Sequence, residues 1–288
     1  MTNRTKGVLC ILASAFGFAL MALFVGMCDS LGGPVSSFQK SFFRNLVALF
    51  CALAVFVREK GLGRETVPHS AKMWSLLLTR SVFGALGIFC NFYALSLIPI
   101  GDAMTLNKTA PFFVVALSWL FLRERVSARQ IFALVLAFCG AALVMKPEGA
   151  WGAPFPALCG LAGGFGAGVA YTCVRELGRL RVPGAFIVLF FSAFSCFASV
   201  PFMLPRLDPM NAKQLLAMLG AGGGAAIGQF GVTAAYRFAP AREIAIFDYS
   251  SIIFTAALGF VFLEQNPDLS SVAGFAVIFA AAFFSRRS

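Results

Sequence analysis

The sequence predicts an all-α integral membrane protein whose ten transmembrane helices form two inverted five-helix repeats. Hydrophobic residues make up 59% of the 288-residue chain and charged residues only 12%, whereas soluble domains carry about 25% charged residues. The apolar residues also fall into runs of about 20, the length that crosses a bilayer. In addition, the two halves of the sequence align with each other when one is shifted along the chain.

The ten predicted spans follow one another with short connections that leave no room for a soluble domain. Each span is an apolar run bounded by charge, Pro or Gly. Their approximate limits are 7–27, 36–57, 73–97, 102–121, 128–145, 155–174, 184–204, 214–236, 243–263 and 270–285. We assign the first five spans to a repeat over residues 1–147 and the last five to a repeat over residues 152–288.

A strong asymmetry of basic residues predicts the orientation of these spans. Sixteen Lys and Arg lie on one side, namely Arg4, Lys6, Arg58, Lys60, Arg64, Lys72, Arg123, Arg125, Arg129, Arg175, Arg179, Arg181, Arg237, Arg242, Arg286 and Arg287. Only Lys146, Arg206 and Lys213 lie on the other side. Because basic residues are retained in the cytoplasm, both termini are expected there, in a bacterial cytoplasmic (inner) membrane. This distribution accounts for most of the net charge of +11 without nucleic acid binding.

Two shifts align the halves of the chain. A shift of 141 residues lays Ala94, Pro99, Asn107 and Leu122 over Ala235, Pro240, Asp248 and Leu263, and one of 149 lays Leu9, Cys10, Phe16 and Gly17 over Leu158, Cys159, Phe165 and Gly166. Because five is odd, the second copy enters the membrane from the opposite side, as in many secondary transporters with a substrate site between the halves. The alternative is a loose alignment of any two apolar stretches.

The end of the first half resembles a known family. It has Pro99 in a short turn before the fourth span, Glu124 after that span, and a fifth span that contains glycine. In these features it is similar to carriers with two EamA-type domains in the drug/metabolite transporter superfamily. The second half departs from the pattern, because Ile252 stands in place of Pro111 and the Glu124 region becomes Glu264–Pro267.

The resemblance covers essentially the whole chain and implies ten helices, cytoplasmic termini, a central cavity and alternating access. Members of the superfamily move amino acids, nucleotide-linked compounds and other small metabolites, so membership does not name a substrate. The run Ser37–Arg44 is similar to the second span of the branch that contains S-adenosylmethionine uptake carriers. This shorter similarity implies S-adenosylmethionine uptake or exchange as an alternative function.

Four basic residues inside the predicted spans are the leading candidates for contact with a substrate: Lys40, Arg44, Arg80 and Lys108. A charge at the centre of a membrane helix costs about 2.5–3.5 kcal/mol on insertion scales, so it usually faces a cavity or a partner. Lys40 and Arg44 are spaced to share one helical face. The alternative for Lys40 and Arg80 is that each side chain extends to the nearer membrane interface.

Asp248 is the one acidic residue well inside a predicted span. It is expected either to form a buried ion pair with Lys108 or Arg44 or to bind and release a proton during transport, and the sequence leaves both open. Pro111 is expected to bend the fourth span. Other polar residues complete the candidate substrate site: Asn91, Asn107, Tyr171, Gln229, Tyr249, Ser250 and Ser251. For Tyr249, an ordinary packed position is the alternative.

The predicted function is secondary transport of a small polar metabolite by alternating access. Four positive charges against one negative charge within the spans favour an anionic or zwitterionic substrate, such as an amino-acid-like or nucleoside-linked compound. No GxxxxGK[ST] motif is present, so nothing suggests ATP as the energy source. Coupling to a proton or to an exchanged counter-substrate stays open.

Other functional classes have less support in the sequence. An intramembrane enzyme would need a second acid, a Ser with a base, or a His cluster within the spans. A structural or receptor-like membrane protein would need no inverted repeat. His69 stands alone and the eight cysteines form no CxxC pair, so no metal, cofactor or disulfide framework is expected.

Overall fold

The computed structural model describes residues 1–61, 68–149 and 152–286, so Arg64 and Arg287 of the orientation argument lie outside the described residues. The first half contains helices α1 (Asn3–Ser30), α2 (Ser37–Gly61), α3 (Ala71–Leu95), α4 (Ile100–Asn107), α5 (Ala110–Leu122) and α6 (Ala128–Met145). The second half contains α7 (Pro154–Arg179), α8 (Gly184–Met203), α9 (Ala212–Phe238), α10 (Ala241–Ile244), α11 (Ser250–Leu263) and α12 (Leu269–Arg286), with 3₁₀ turns at Leu204–Arg206 and Ala245–Tyr249.

The prediction of an all-α membrane protein is confirmed. No strand occurs in the three described segments, and nine helical stretches within them are long and apolar enough to cross a membrane. Two of these nine are composite, because α4 with α5 and α10 with α11 each form one span. Leu269–Ser285 is a shorter apolar helix at the position of the tenth predicted span.

Side-chain caps fix the starts of several helices. Ser70, Ser127 and Asn211 each accept a hydrogen bond from the backbone N–H three residues later, at the starts of α3, α6 and α9. At Ser127 and Asn211 a glutamine side chain also bonds back to the cap residue, which completes a capping box. These caps satisfy N–H donors that a helix start otherwise leaves unpaired.

The expected bend at Pro111 is a complete break just before it. Helix α4 ends at Asn107, and α5 begins at Ala110. Pro111 has no N–H to donate to the carbonyl four residues earlier, which is that of Asn107, so the ladder of helical hydrogen bonds stops there. Within the break, the Thr109 hydroxyl donates to the carbonyl of Leu106.

The ninth span breaks at the equivalent position without a proline. Residues Ala245–Tyr249 form a 3₁₀ turn between α10 and α11, although Ile252 stands where the first half has proline. Here the hydroxyls of Ser250 and Ser251 donate to backbone carbonyls three residues back. Such local bonds compete with the regular helical ladder, so hydroxyl groups accompany the second break where a proline accompanies the first.

Local backbone features recur at the shift of 141 residues. The recurring pairs have the same conformation or join the same atoms in the two halves. The first pair is Arg123 (φ 54°) and Glu264 (φ 56°), both in the left-handed conformation. The second pair consists of backbone hydrogen bonds, from Glu124 N to Ser118 O and from Gln265 N to Gly259 O. The third pair consists of hydroxyl hydrogen bonds, from Thr109 to Leu106 O and from Ser250 to Phe247 O. These pairs extend the similarity of the sequences to the geometry of the main chain.

The two halves are interleaved rather than side by side. Helix α1 packs along α9, α3 along α7, α2 against α8 and α6 against α12, so each of these pairs joins one helix from each half. Small residues permit the approach, since a Cβ added at Gly17 of α1 would lie 2.6 Å from Gly228 N and 2.8 Å from Gly224 O of α9. The Ser14 hydroxyl donates to Gly228 O across the same contact at 2.7 Å.

We expect Gly17→Ala to lower the thermal stability of the purified protein, whereas Gly26→Ala on the same helix leaves it unchanged or slightly raised. At Gly17 the new methyl group meets backbone atoms of α9, and overpacking of this kind costs about 1–3 kcal/mol. At Gly26 an added Cβ meets nothing within 4 Å. Unfolding of both variants in one detergent measures the difference, and equal midpoints would contradict the described packing.

Candidate functional site

Two of the four basic residues predicted inside the spans have an acidic partner. Lys40, near the start of α2, lies 2.6 Å from Asp29 Oδ2 at the end of α1. Lys108, in the break between α4 and α5, lies 3.0 Å from Asp248 Oδ2. The charges of Lys40 and Lys108 are therefore compensated within the protein.

The Lys108–Asp248 pair joins the two broken spans. Lys108 Nζ also donates to Ser251 Oγ at 2.7 Å, and the Tyr249 hydroxyl donates to the Lys108 carbonyl at 3.0 Å. The side chains of Lys108 and Asp248 are only 18% and 19% exposed, so salt screens their attraction little. Of the two roles open for Asp248, the ion pair is the one present here, and proton exchange stays a hypothesis.

Arg80 is buried among α3, α8 and α9. The residue is 2% exposed, which excludes the alternative that its side chain extends to the interface. Its Nη2 donates to Gln229 Oε1 at 2.9 Å, and its guanidinium carbon lies 3.5 Å from the centroid of the Phe191 ring, a cation–π contact. A Cβ added at Gly84 would lie 2.9 Å from Phe191 Cε2, so this glycine leaves the room that the ring occupies.

Arg44, on α2, lies in the same interior. It is 9% exposed, and its Nε is buried without a hydrogen-bond partner. Arg44 and Arg80 lie within electrostatic range of each other and of the Tyr171 hydroxyl. Within the described part of the chain, neither arginine forms an ion pair with an acidic side chain. Two buried guanidinium groups therefore share one region without a carboxylate in contact.

Aromatic and amide side chains lie in the region of the two arginines. Tyr171 of α7 stacks on Tyr236 of α9, with ring centroids 5.3 Å apart and an angle of 18° between the rings. Phe191 covers one face of the Arg80 guanidinium, and Gln229 accepts one of its hydrogen bonds. Sequence reasoning missed Phe191 and Tyr236, and no signal marked Phe191, because the chain contains 34 phenylalanines.

Asn91 and Asn107 lie together at another level of the bundle. Both approach α7 at Gly163, where an added Cβ would lie 3.3 Å from Asn91 Cβ and 3.2 Å from Asn107 Nδ2. Asn91 follows Arg80 by three helical turns on α3, about 16 Å along the axis. Its Oδ1 is buried without a hydrogen-bond partner, so this oxygen is one of several unsatisfied polar atoms of the interior, as the Nε atoms of Arg44 and Arg80 also are.

Three other predicted residues are engaged within the protein. Tyr249 is fully buried, and its hydroxyl donates to a backbone carbonyl of the first half. The Ser250 hydroxyl donates to the carbonyl of Phe247 at 2.6 Å, and Lys40 is held by Asp29. The polar groups of these residues are less available to a ligand than those of the two arginines.

Glu124 links three elements at one end of the bundle, a role that sequence reasoning missed. Its carboxylate is buried and accepts hydrogen bonds from Arg175 Nε at 2.9 Å and from Ala241 N at 3.2 Å. It thereby ties the end of α5 to α7 and α10. The sequence distinguishes Glu124 from its repeat equivalent, the neutral Gln265. It does not reveal the partner, because Arg175 lies 51 residues away.

Asp208 links the two halves at the other end of α9. The Ser36 N–H donates to Asp208 Oδ2 at 2.7 Å. Gln39 exchanges two hydrogen bonds with the backbone of Asp208, each 2.9 Å long. The loop between α8 and α9 is thus fastened to the start of α2.

The described residues contain neither a cluster of metal-ligating side chains nor a disulfide bond. No group of three His, Cys, Asp or Glu lies close enough together within them to hold a metal ion. Their cysteines are free thiols, several of them buried. The chemistry available at the candidate site is therefore that of arginine, amide and aromatic side chains.

Comparison with known proteins gives a family and a fold. The EamA-like transporter family matches the chain twice, at residues 5–146 and 154–287. The pseudopaline exporter CntI of Pseudomonas aeruginosa is 29% identical over 98% of this chain and 96% of the exporter. A riboflavin transporter of Brucella anthropi is 26% identical over 86% of this chain and 87% of that protein. A solved crystal structure superposes with a TM-score of 0.78 at 18% identity, covering 95% of this chain and 98% of the other, which shows the fold alone.

We expect Asp248→Asn to destabilise the protein by about 3 kcal/mol, because Lys108 is left charged and buried without its partner. The double variant Lys108→Gln/Asp248→Asn removes both charges and is expected to recover much of the loss. The free energies of unfolding of the wild type, Asp248→Asn, Lys108→Gln and the double variant form a cycle that isolates the coupling between the two side chains. Losses that simply add would argue against the ion pair.

Proposed function

The chain belongs to the EamA-like transporter family of the drug/metabolite transporter superfamily and is a multi-pass membrane transporter; from this premise we propose that it is a secondary carrier of a small anionic metabolite. The carrier works by alternating access, with the anionic group of the substrate held between Arg44 and Arg80. Transport of a small molecule is the activity named for its relatives, whereas the substrate class is inferred from the interior of this chain.

One observation carries this substrate class, namely that Arg44 and Arg80 are both buried and that neither has a carboxylate in contact within the described residues. Removing a charge from water costs several kcal/mol even after relaxation of the protein, unless an opposite charge compensates it. A bound anion supplies that compensation. Guanidinium groups also match carboxylates and phosphates with paired N–H donors, so these are the groups we expect on the substrate.

The acidic partners of Lys108 and Lys40 argue for a net anion over a simple zwitterion. Asp248 is held by Lys108, and Asp29 is held by Lys40. An ammonium group on the substrate would therefore compete with a lysine for either carboxylate. A compound with a carboxylate or phosphate and an aromatic or extended remainder fits the arginines and the neighbouring Phe191 best.

The S-adenosylmethionine alternative has no specific support from this site. That compound carries a positive sulfonium, and the two uncompensated guanidinium groups repel positive charge. The relatives support transport in general but do not narrow the substrate, since they are named for different compounds. The similarity to an exporter over nearly the whole chain supports export as the direction to test first.

Two clusters at opposite ends of α9 support alternating access. One is centred on Glu124 and the other on Asp208, and each fastens elements of one half to elements of the other. We propose that residues 1–147 and 152–288 are inverted repeats and that these clusters open in turn to expose the site to either side. The recurrence of main-chain features at a shift of 141 residues supports the repeat. Asp248 acts in this scheme as the partner of Lys108, with proton coupling as the alternative.

We expect Arg44→Gln and Arg80→Gln each to lower transport about tenfold or more, because a hydrogen bond to a charged group contributes about 1.5–3 kcal/mol. A thermal-shift screen against amino acids, organic acids, nucleoside phosphates and S-adenosylmethionine first identifies a ligand, since binding stabilises the folded state. Flux of the labelled ligand in proteoliposomes then measures transport.

The control for these variants is Lys213→Gln, at an exposed lysine at the start of α9, which should transport at the wild-type rate. Wild-type flux in both arginine variants would contradict the proposed anion site but not the proposed carrier function. Chemical conversion of the ligand without flux would remove the carrier itself.

We expect the C-terminus to be cytoplasmic, because sixteen Lys and Arg lie on that side and three on the other. A C-terminal green fluorescent protein should therefore fluoresce in bacteria, while a C-terminal alkaline phosphatase should be inactive. The reverse pair of results would invert the orientation.

A further inference from the structure

A crevice of about 550 Å³ lies between α3 and α5, with α7 as its floor. Its lining is mostly apolar and includes Leu76, Leu117, Leu120, Phe121, Phe165 and Val169. Two of the large apolar side chains that line it, Leu120 and Phe121 on α5, are exposed. In a membrane protein an exposed apolar surface of this kind is expected to face the hydrocarbon of the bilayer, which makes a membrane component the natural ligand to consider.

The crevice has charged groups only at one end. Lys72, in the first turn of α3, and Glu176, near the end of α7, both line it and lie 2.7 Å apart. The Thr172 hydroxyl on its floor already donates to the carbonyl of Gly168. A polar metabolite would therefore find little to bind along the crevice, whereas an amphiphile would find an apolar channel with a charged mouth.

The mouth carries an excess of positive charge. Glu176 is shared between Lys72 and Arg179, whose Nη1 lies 3.7 Å from the carboxylate. The Lys72 side chain is 63% exposed, and Arg123, adjacent in sequence to the lining residue Leu122, is exposed as well. Arg179 also lies 3.8 Å from the carboxylate of Glu124, which pairs with Arg175. Two carboxylates thus face four basic side chains, and the remaining positive charge favours an acidic ligand group at this position.

We propose that this crevice binds an anionic phospholipid, with an acyl chain against α7 and the phosphate at Lys72 and Arg179. Trp74, two residues beyond Lys72, is 37% exposed and packs on Phe186 and Phe190 of α8, and tryptophan is enriched at the membrane interface. This places the mouth at the level of lipid phosphates. The site is separate from the buried arginines, and the proposal does not depend on the substrate assigned to them.

Native mass spectrometry of the purified full-length protein tests the proposal with two lipids that have identical acyl chains, phosphatidylglycerol and phosphatidylcholine. We expect phosphatidylglycerol to be retained more tightly. Lys72→Gln should weaken its apparent affinity about fivefold, the equivalent of about 1 kcal/mol for one basic residue near the membrane surface. The matched control Lys213→Gln, at an exposed lysine on another helix, should retain wild-type affinity.

A second variant, Val169→Trp, fills the crevice from its floor and should lower retention of phosphatidylglycerol while leaving Lys72 in place. Gel filtration and helical circular dichroism verify its fold; if it does not fold, the pair of lysine variants decides alone. Equal retention of both lipids, or the same affinity in Lys72→Gln and Lys213→Gln, would overturn the site. A dimer mass that disappears in Val169→Trp would assign the crevice to a second copy of the chain instead and likewise overturn it.

Discussion

The Lys108–Asp248 ion pair connects the two places where a transmembrane helix is interrupted. An interruption at membrane depth frees backbone carbonyls in a medium that offers no water to bind them. The hydroxyls of Thr109, Ser250 and Tyr249 each donate to one of those carbonyls, and Tyr249 does so across the two halves. The ion pair and these hydroxyl bonds together let two weakened spans meet at one level.

The four basic residues of the interior fall into two kinds, according to whether a carboxylate compensates their charge. Lys40 and Lys108 have carboxylates of their own, so their positions are explained by structure. Arg44 and Arg80 have none in contact, and Arg80 relies on an amide and the face of a phenylalanine ring. Burial of charge without compensation does not stabilise a resting protein. We propose that a substrate anion supplies the missing compensation.

The spans and their approximate limits could be predicted because apolar run length depends only on local sequence. The first helix break was partly foreseen from Pro111, since a missing donor acts on its own helix. The second break could not be predicted, because serine residues like those that accompany it also occur inside regular helices. Local information therefore gave the elements and only one of their two interruptions.

The candidate site was predicted less completely, for reasons of distance along the chain. Whether Arg80 reaches the interface or stays inside depends on Gln229, which lies 149 residues away. The pairing of Glu124 with Arg175 spans 51 residues and left no local pattern. By contrast, Asp29 lies only 11 residues from Lys40, at the end of the preceding span. That pairing was open to sequence reasoning and was overlooked.

The interleaving of the halves has a consequence for synthesis of the protein. The Ser14 hydroxyl on α1 bonds to Gly228 on α9, 214 residues later in the chain. At a ribosomal rate of about 5–20 residues per second, α1 waits on the order of 10–40 s in the lipid before this partner is made. During that interval the face of α1 that carries Gly17 has no partner from α9. A substitution that disrupts α9 is therefore expected to leave α1 without its partner and to destabilise the chain, although α1 itself is unchanged.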